Sequence, residues 1–116
     1  MPPNEHDLAY LWDMLDAARQ IQDFIRGVSF SKYSDNKLIQ SAVERQLEIL
    51  GEAARRVSHE FQDEHPEIPW RPVIGLRNVL AHEYGEIKAD RIWRIASVDV
   101  IDLISKLQPF IPPIDE

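Results

Sequence analysis

The run Gly75-Leu76-Arg77-Asn78-Val79-Leu80-Ala81-His82-Glu83-Tyr84-Gly85 holds arginine, asparagine, histidine and tyrosine in an otherwise largely apolar stretch. Each of these types suits phosphate chemistry. An arginine is always charged and grips phosphate with a planar fork of donors. Histidine as a residue type titrates near neutrality, so it can take or give a proton. Asparagine can orient a histidine or donate to a phosphate oxygen. Together they meet the needs of metal-independent RNA cleavage. A base removes the proton of the ribose 2′-OH, the oxygen attacks the adjacent phosphate, and a cation stabilises the charge that develops. The need for a 2′-OH makes the substrate RNA and not DNA.

The spacing sets conditions on that chemistry. On a helix of about 3.6 residues per turn, Arg77 and Tyr84 fall nearly on one face, and Asn78 and His82 are neighbours. Arg77 and His82 diverge by about 140°. They meet at one phosphate only through the long arginine side chain or across a dimer axis, so a site shared by two subunits is expected. Spacing alone leaves open a structural alternative, with the histidine satisfied at the helix end and the arginine in a salt bridge.

Four main helices are predicted to position these groups. The first runs from about Glu5 to Arg26, with Asn4 as N-cap, Pro2-Pro3 as a stop before it and Gly27 at its end. Leu8, Leu11, Trp12, Leu15, Ala18, Ile21 and Ile25 recur along it at helical spacing. After a linker, Val28 to Ser34, the second helix runs from about Asp35 to Ser58, capped by Ser34, Asp35 or Asn36. His59 to Pro69 reads as a loop with one short helical turn near Glu60–Glu64. The third helix spans Trp70 to Tyr84, with Pro72 tolerated in its first turn and Gly85 ending it. Gly75 lies inside it, which a close helix crossing accounts for better than a ligand does. The fourth runs from Asp90, its expected cap, to Leu107, and is stopped by Pro109, Pro112 and Pro113. Its apolar residues surround most of its circumference, beyond the stripe one core needs, which predicts a second buried face at a subunit interface. The fold class is all-α, an antiparallel helical bundle of four main helices plus that short turn, in one domain over residues 1–116.

Composition narrows the function classes. With 116 residues, 44% hydrophobic and 28% charged, the chain reads as a globular domain with one modest core. It has no cysteine, which excludes disulfides, thiolate metal sites and a cysteine nucleophile. The N-terminus does not read as a signal peptide, and no run approaches the ~18 apolar residues of a membrane span, so a cytoplasmic location and no membrane partner are expected by elimination. The net charge of −7 opposes broad attraction to nucleic acid, yet it is uneven. Residues 1–24 set Glu5, Asp7, Asp13, Asp16 and Asp23 against Arg19. Residues 71–94 set Arg71, Arg77, Lys88, Arg91 and Arg94 against Glu83, Glu86 and Asp90.

Secondary candidates carry blander readings. Arg45, Glu48 and Glu52 share one face of the second helix and can line a cleft beside Arg77 or His82, or form a solvated salt-bridge face. Gly51 beside Glu52 suits a close approach by the third helix. His59, Glu60 and His65 lack the four-residue spacing of helix zinc ligands, so no metal or other cofactor is expected. Trp70 and Trp93 are expected to pack between the third and fourth helices rather than stack on bases. Tyr33 reads as an ordinary loop tyrosine.

Arg77-x4-His82-x-Tyr84 resembles the Arg-x4-His-x-Tyr motif of HepT proteins, a branch of the HEPN superfamily. The resemblance extends along nearly the whole chain, through Asp7, Tyr10-Leu11, Arg45-Gln46-Leu47, Leu50-Gly51-Glu52-Ala53, Ile68-Pro69-Trp70 and Asp90-Arg91-Ile92-Trp93. It implies a helical bundle that dimerises so that two copies of the motif face one cleft, and a metal-independent endoribonuclease. By matching position, Arg77 and His82 would be catalytic and Asn78 supporting; Arg45 and Glu52 are expected as further supports from their shared helix face alone. HepT proteins are toxins paired with a minimal nucleotidyltransferase (MNT) antitoxin, which transfers AMP from ATP to the motif tyrosine, here Tyr84. AMP groups add bulk and negative charge, which would block RNA. The alternative is a non-catalytic helical partner of such a nucleotidyltransferase, or a plain nucleotide-binding module.

Overall fold

The structure, a computed structural model, describes residues 3–112. Pro2 and Pro113, expected as helix stops, lie outside them. Helix α1 (Glu5–Ile25) begins where the Asn4 side chain accepts a hydrogen bond from the Asp7 N–H at 2.8 Å. It ends just before Gly27, whose φ of +72° is the left-handed turn expected there. Helix α3 (Lys37–Arg56) begins in the same way, with the Asn36 side chain accepting from the Ile39 N–H at 3.1 Å. The N-terminal end of α1 meets the C-terminal end of α3 through Asp7 and Ser58, so the two helices are antiparallel. Leu11, Met14, Ala18 and Ile21 on α1 and Val43, Leu47, Leu50 and Ala54 on α3 lie in one buried core.

The linker expected at Val28–Ser34 instead contains a short helix, α2 (Phe30–Ser34), capped by the Ser29 side chain. Tyr33 is not a loop tyrosine. It is fully buried, with its ring 5.2 Å from that of Trp93, and Phe30 lies 6.2 Å from the same indole. The short helix near Glu60–Glu64 is present as α4 (His59–Glu64), capped by Ser58.

The third helix is broken. Helix α5 (Trp70–Ile74) ends at Gly75, and α6 (Leu76–His82) starts directly after it. Gly75 resists helix, and Val73 and Leu76 on either side of it seat on Gly51 of α3, so the junction falls there. The close approach of the third helix expected at Gly51 is present, whereas the crossing expected at Gly75 is not: a Cβ at Gly75 would meet only the Arg71 and Pro72 carbonyls of its own segment. A Cβ at Gly51 would stand 3.0 Å from the Val73 carbonyl oxygen and 3.9 Å from the Leu76 Cβ. Glycine on α3 thus lets the α5–α6 junction rest on its backbone.

The fourth helix begins at Gly85, five residues before the expected cap Asp90, which lies inside it. Helix α7 (Gly85–Arg94) runs through a π turn (Ile95–Asp99) into α8 (Val100–Leu107) without leaving helical backbone angles. Ile92, Ala96, Val100, Leu103 and Leu107 enter the core, while Val98 and Ile101 remain exposed. Trp93 packs against Phe30 and Tyr33 of α2. Trp70 packs edge-on to Phe61 of α4 and donates its indole N–H to the His65 carbonyl at 2.9 Å, so the aromatic partners of both tryptophans lie on short helices outside the four main ones. Aromatic clusters thus close both ends of the bundle: Phe30, Tyr33 and Trp93 at one, Phe61, His65, Trp70 and Phe110 at the other.

Candidate functional site

Helix α6 is two turns long and carries Arg77, Asn78 and His82, all exposed. Its apolar positions hold it down: Leu76 is buried, and Val79 and Leu80 pack against the core. Among the described residues, no hydrogen bond or ion pair engages the side chains of Arg77, Asn78, His82 or Tyr84. The structural alternative, a satisfied histidine and a salt-bridged arginine, is therefore not what this chain forms.

Tyr84 does not continue that helix. The helix ends at His82, and Glu83 (φ −97°, ψ 147°) and Tyr84 (φ −136°, ψ 154°) are extended. The expected alignment of Arg77 with Tyr84 on one face is therefore absent. Gly85, at φ +62°, turns the chain into α7, a backbone angle that other residues rarely take. Glu83 accepts a hydrogen bond from Arg91 at 2.6 Å, which ties the connection to α7, and Lys88 pairs with Glu44 at 2.8 Å, which ties α7 to α3. Between these anchors Tyr84 is 78% exposed.

Arg77 faces an open groove of about 540 Å³. Arg45, Glu48, Glu52, Arg55 and Arg56 of α3 line it, with Tyr10 and Asp13 of α1 to one side and Ile74 and Arg77 to the other. Arg45, Glu48 and Glu52 share a face and line the cleft as expected. They do not orient Arg77 or His82. Arg45 lies 3.5 Å from Glu48, and Glu52 accepts from Arg55 at 2.8 Å and from Arg56 at 3.0 Å. Those two hydrogen bonds, Arg55 first, hold the Glu52 carboxyl below its ordinary range, and Glu52 in turn raises Arg55. Burial, and then the nearby Asp16, push the Asp13 carboxyl up.

Sequence reasoning placed none of Tyr10, Asp13, Arg55 and Arg56 at the site, although Tyr10-Leu11 is part of the family pattern. The stripe Arg45–Glu48–Glu52 continues to Arg55 and Arg56 in steps of three and four, a signal that would have found the arginines. Nothing local marks Tyr10 and Asp13, because only the packing of α1 on α3 brings them there.

A second groove, of about 900 Å³, runs between α5–α6 and α7–α8. Val73, Leu76, Val79, Ile87 and Ile95 give it an apolar lining. Among the described residues, no three His, Asp or Glu side chains are grouped to hold a metal ion, and no helix is long and apolar enough to cross a membrane.

Comparison with known proteins places these features in a family. The family model described as "Ribonuclease HepT-like" matches residues 14–110. A Methanocaldococcus jannaschii protein named "Putative RNase MJ1380" is 38% identical over 92 residues, covering 79% of this chain and 84% of its own. A Thermococcus cleftensis protein named "Probable ribonuclease HepT" is 35% identical over 99 residues, covering 85% of this chain and 90% of its own. No solved structure matches the chain. Carrying the Arg-x4-His part of the motif on an exposed α6 and matched over most of its length, the chain belongs to the HepT-like ribonuclease family.

Proposed function

We propose that this protein is a metal-independent endoribonuclease that works as a homodimer. The observation that carries the reading is the state of α6: a guanidinium and an imidazole, both exposed and unengaged within the chain, on one short helix beside a groove. His82 takes the proton of the ribose 2′-OH. The 2′ oxygen bonds to phosphorus, the bond from phosphorus to O5′ breaks, and the departing O5′ receives the proton that His82 removed. The products are a 2′,3′-cyclic phosphate and a 5′-hydroxyl. Arg77 stabilises the charge on the phosphoryl oxygens, and Asn78 orients the imidazole or donates to the phosphate. Arg45 and Glu52 support the site from the groove floor.

The divergence of Arg77 and His82 around α6 favours an active site completed by a second copy. The apolar groove bordering α6, together with exposed Ile87, Val98 and Ile101, offers surface for that copy. On the same reading the protein is the cytoplasmic toxin of a toxin–antitoxin pair. Its partner is a minimal nucleotidyltransferase that adenylylates Tyr84, and the exposure of that phenol supports the assignment.

The test is cleavage of RNA in excess chelator, with cyclic-phosphate ends on the product. Arg77→Ala and His82→Ala are expected to lower the rate by roughly a hundredfold or more while leaving the helical signal intact. Cleavage by the double variant at the wild-type rate overturns the reading. Incubation with the nucleotidyltransferase and ATP is expected to add AMP to wild type and not to Tyr84→Phe. An adduct elsewhere would remove Tyr84 from its role.

A further inference from the structure

Arg77 shares its groove with other guanidiniums. The groove it faces holds Arg45, Arg55 and Arg56 as well, four arginines against the carboxylates of Asp13, Glu48 and Glu52, in a chain whose net charge is −7. The arginines recur along α3 at helical steps, and Arg77 reaches the same groove from α6. Tyr10 adds an aromatic wall. Its ring leans on the core and is half-buried, with its other side toward the groove.

We propose that this groove is the track for the RNA strand flanking the cleaved bond, with Arg45, Arg55 and Arg56 binding its phosphates and Tyr10 stacking on a base. The proposal rests on the ribonuclease reading above and extends the site by residues outside the motif. Three physical arguments carry it. First, an aromatic face beside a run of cations is how single-stranded nucleic acid is held without regard to sequence. Second, the ion pairs of the groove are exposed, with side chains of Arg55, Arg56 and Glu52 at 59, 53 and 41%. Such pairs contribute little to folding, so the guanidiniums can turn from Glu52 to phosphate without loosening the bundle. Third, a protein of this net charge attracts RNA only where cations are concentrated, and here they adjoin the catalytic arginine.

The experiment measures binding of a fluorescent single-stranded 2′-O-methyl RNA, which lacks the nucleophile and stays intact, to the full chain at several salt concentrations. Loss of two phosphate contacts in Arg55→Ala/Arg56→Ala is expected to flatten the dependence of log affinity on log salt by about 1.4. An Arg55→Gln/Arg56→Gln variant, which keeps the aliphatic stems, is expected to do the same, and this guards against a folding defect in the alanine pair. Tyr10→Leu is expected to weaken binding by roughly five- to a hundredfold with the salt slope unchanged. The control Arg19→Ala/Arg26→Ala removes equal charge from α1 and the residue that caps its C-terminus, outside the groove, and is expected to keep the wild-type slope. If the Arg55/Arg56 variants keep the wild-type slope, or match the control, the track is overturned. It is also overturned if Tyr10→Leu binds as wild type. Should that happen while Arg77→Ala still abolishes cleavage, the ribonuclease reading survives alone. If wild type neither binds nor cuts RNA, both readings fall.

Discussion

Asp7 accepts two hydrogen bonds from Ser58, 51 residues further along the chain: its Oδ1 from the backbone N–H at 2.8 Å and its Oδ2 from the hydroxyl at 2.6 Å. The same Ser58 hydroxyl oxygen accepts from the Phe61 N–H at 3.2 Å and caps α4. Asp7 is buried, and its own N–H is held by Asn4. One carboxylate therefore locks the start of α1 to the corner between α3 and α4.

Replacing it leaves buried donors without an acceptor. Asp7→Ala is expected to destabilise the fold by about 1–3 kcal/mol, because an unsatisfied buried group forfeits its hydration. Asp7→Asn, which keeps one good acceptor, is expected to lose less. Thermal unfolding of the two variants checks the order. An unchanged midpoint for Asp7→Ala would show that water replaces the carboxylate.

The crossing at Gly51 couples stability to the site. A methyl group there meets the Val73 carbonyl at 3.0 Å, and backbone gives way less easily than a side chain. Gly51→Ala is expected to cost about 1–3 kcal/mol by overpacking. Because Arg77 rides on the displaced α6, RNA cleavage is expected to fall as well, at temperatures where the variant remains folded. A calorimetric scan and an activity assay on one sample separate the two effects.

Subunit sharing is tested by mixing inactive proteins. If Arg77 of one copy works with His82 of the other, equimolar Arg77→Ala and His82→Ala form mixed dimers with one complete and one empty site. Cleavage is then expected to return to about a quarter of the wild-type rate, after random exchange of a two-fold dimer. Failure to recover any activity after proven exchange would place both groups of a working site in one chain.

Tyr33 predicts an alkaline limit. Burial, and then the charge of Glu44, raise its phenol above the ordinary value of 10.0. Above that pH the unfolded chain releases a proton that the folded chain retains, so the unfolded state binds fewer protons and stability falls as pH rises. Tyr33→Phe is expected to flatten this alkaline decline. A stability curve in which wild type and variant decline together would remove the phenol as its cause.

Periodicity made α1 and α3 legible because each is long and presents one apolar stripe, and Asn4 marked the first by cap chemistry alone. The motif on α6 was legible from residue types. Helix α2 was not, because five residues are too few to show a period and its stability comes from Tyr33 meeting Trp93, 60 positions later in the chain. The break at Gly75 and the extended Glu83–Tyr84 were hidden for a related reason. Local pattern favours one continuous helix, whereas the seat of Val73 and Leu76 on Gly51 and the pairing of Glu83 with Arg91 decide otherwise. Within the groove, the arginines of α3 follow from helical steps, while Tyr10 depends on how two helices lie together.

The unwound link around Tyr84 has a consequence for any enzyme that must act on this side chain. A tyrosine fixed along a helix offers its ring at one angle, and a modifying enzyme must fit the neighbouring turns too. An extended residue followed by a glycine turn lets the phenol enter a foreign cleft as a peptide would. The core behind it need not shift, and chemistry at that oxygen would change what the surface admits without touching what keeps the molecule folded.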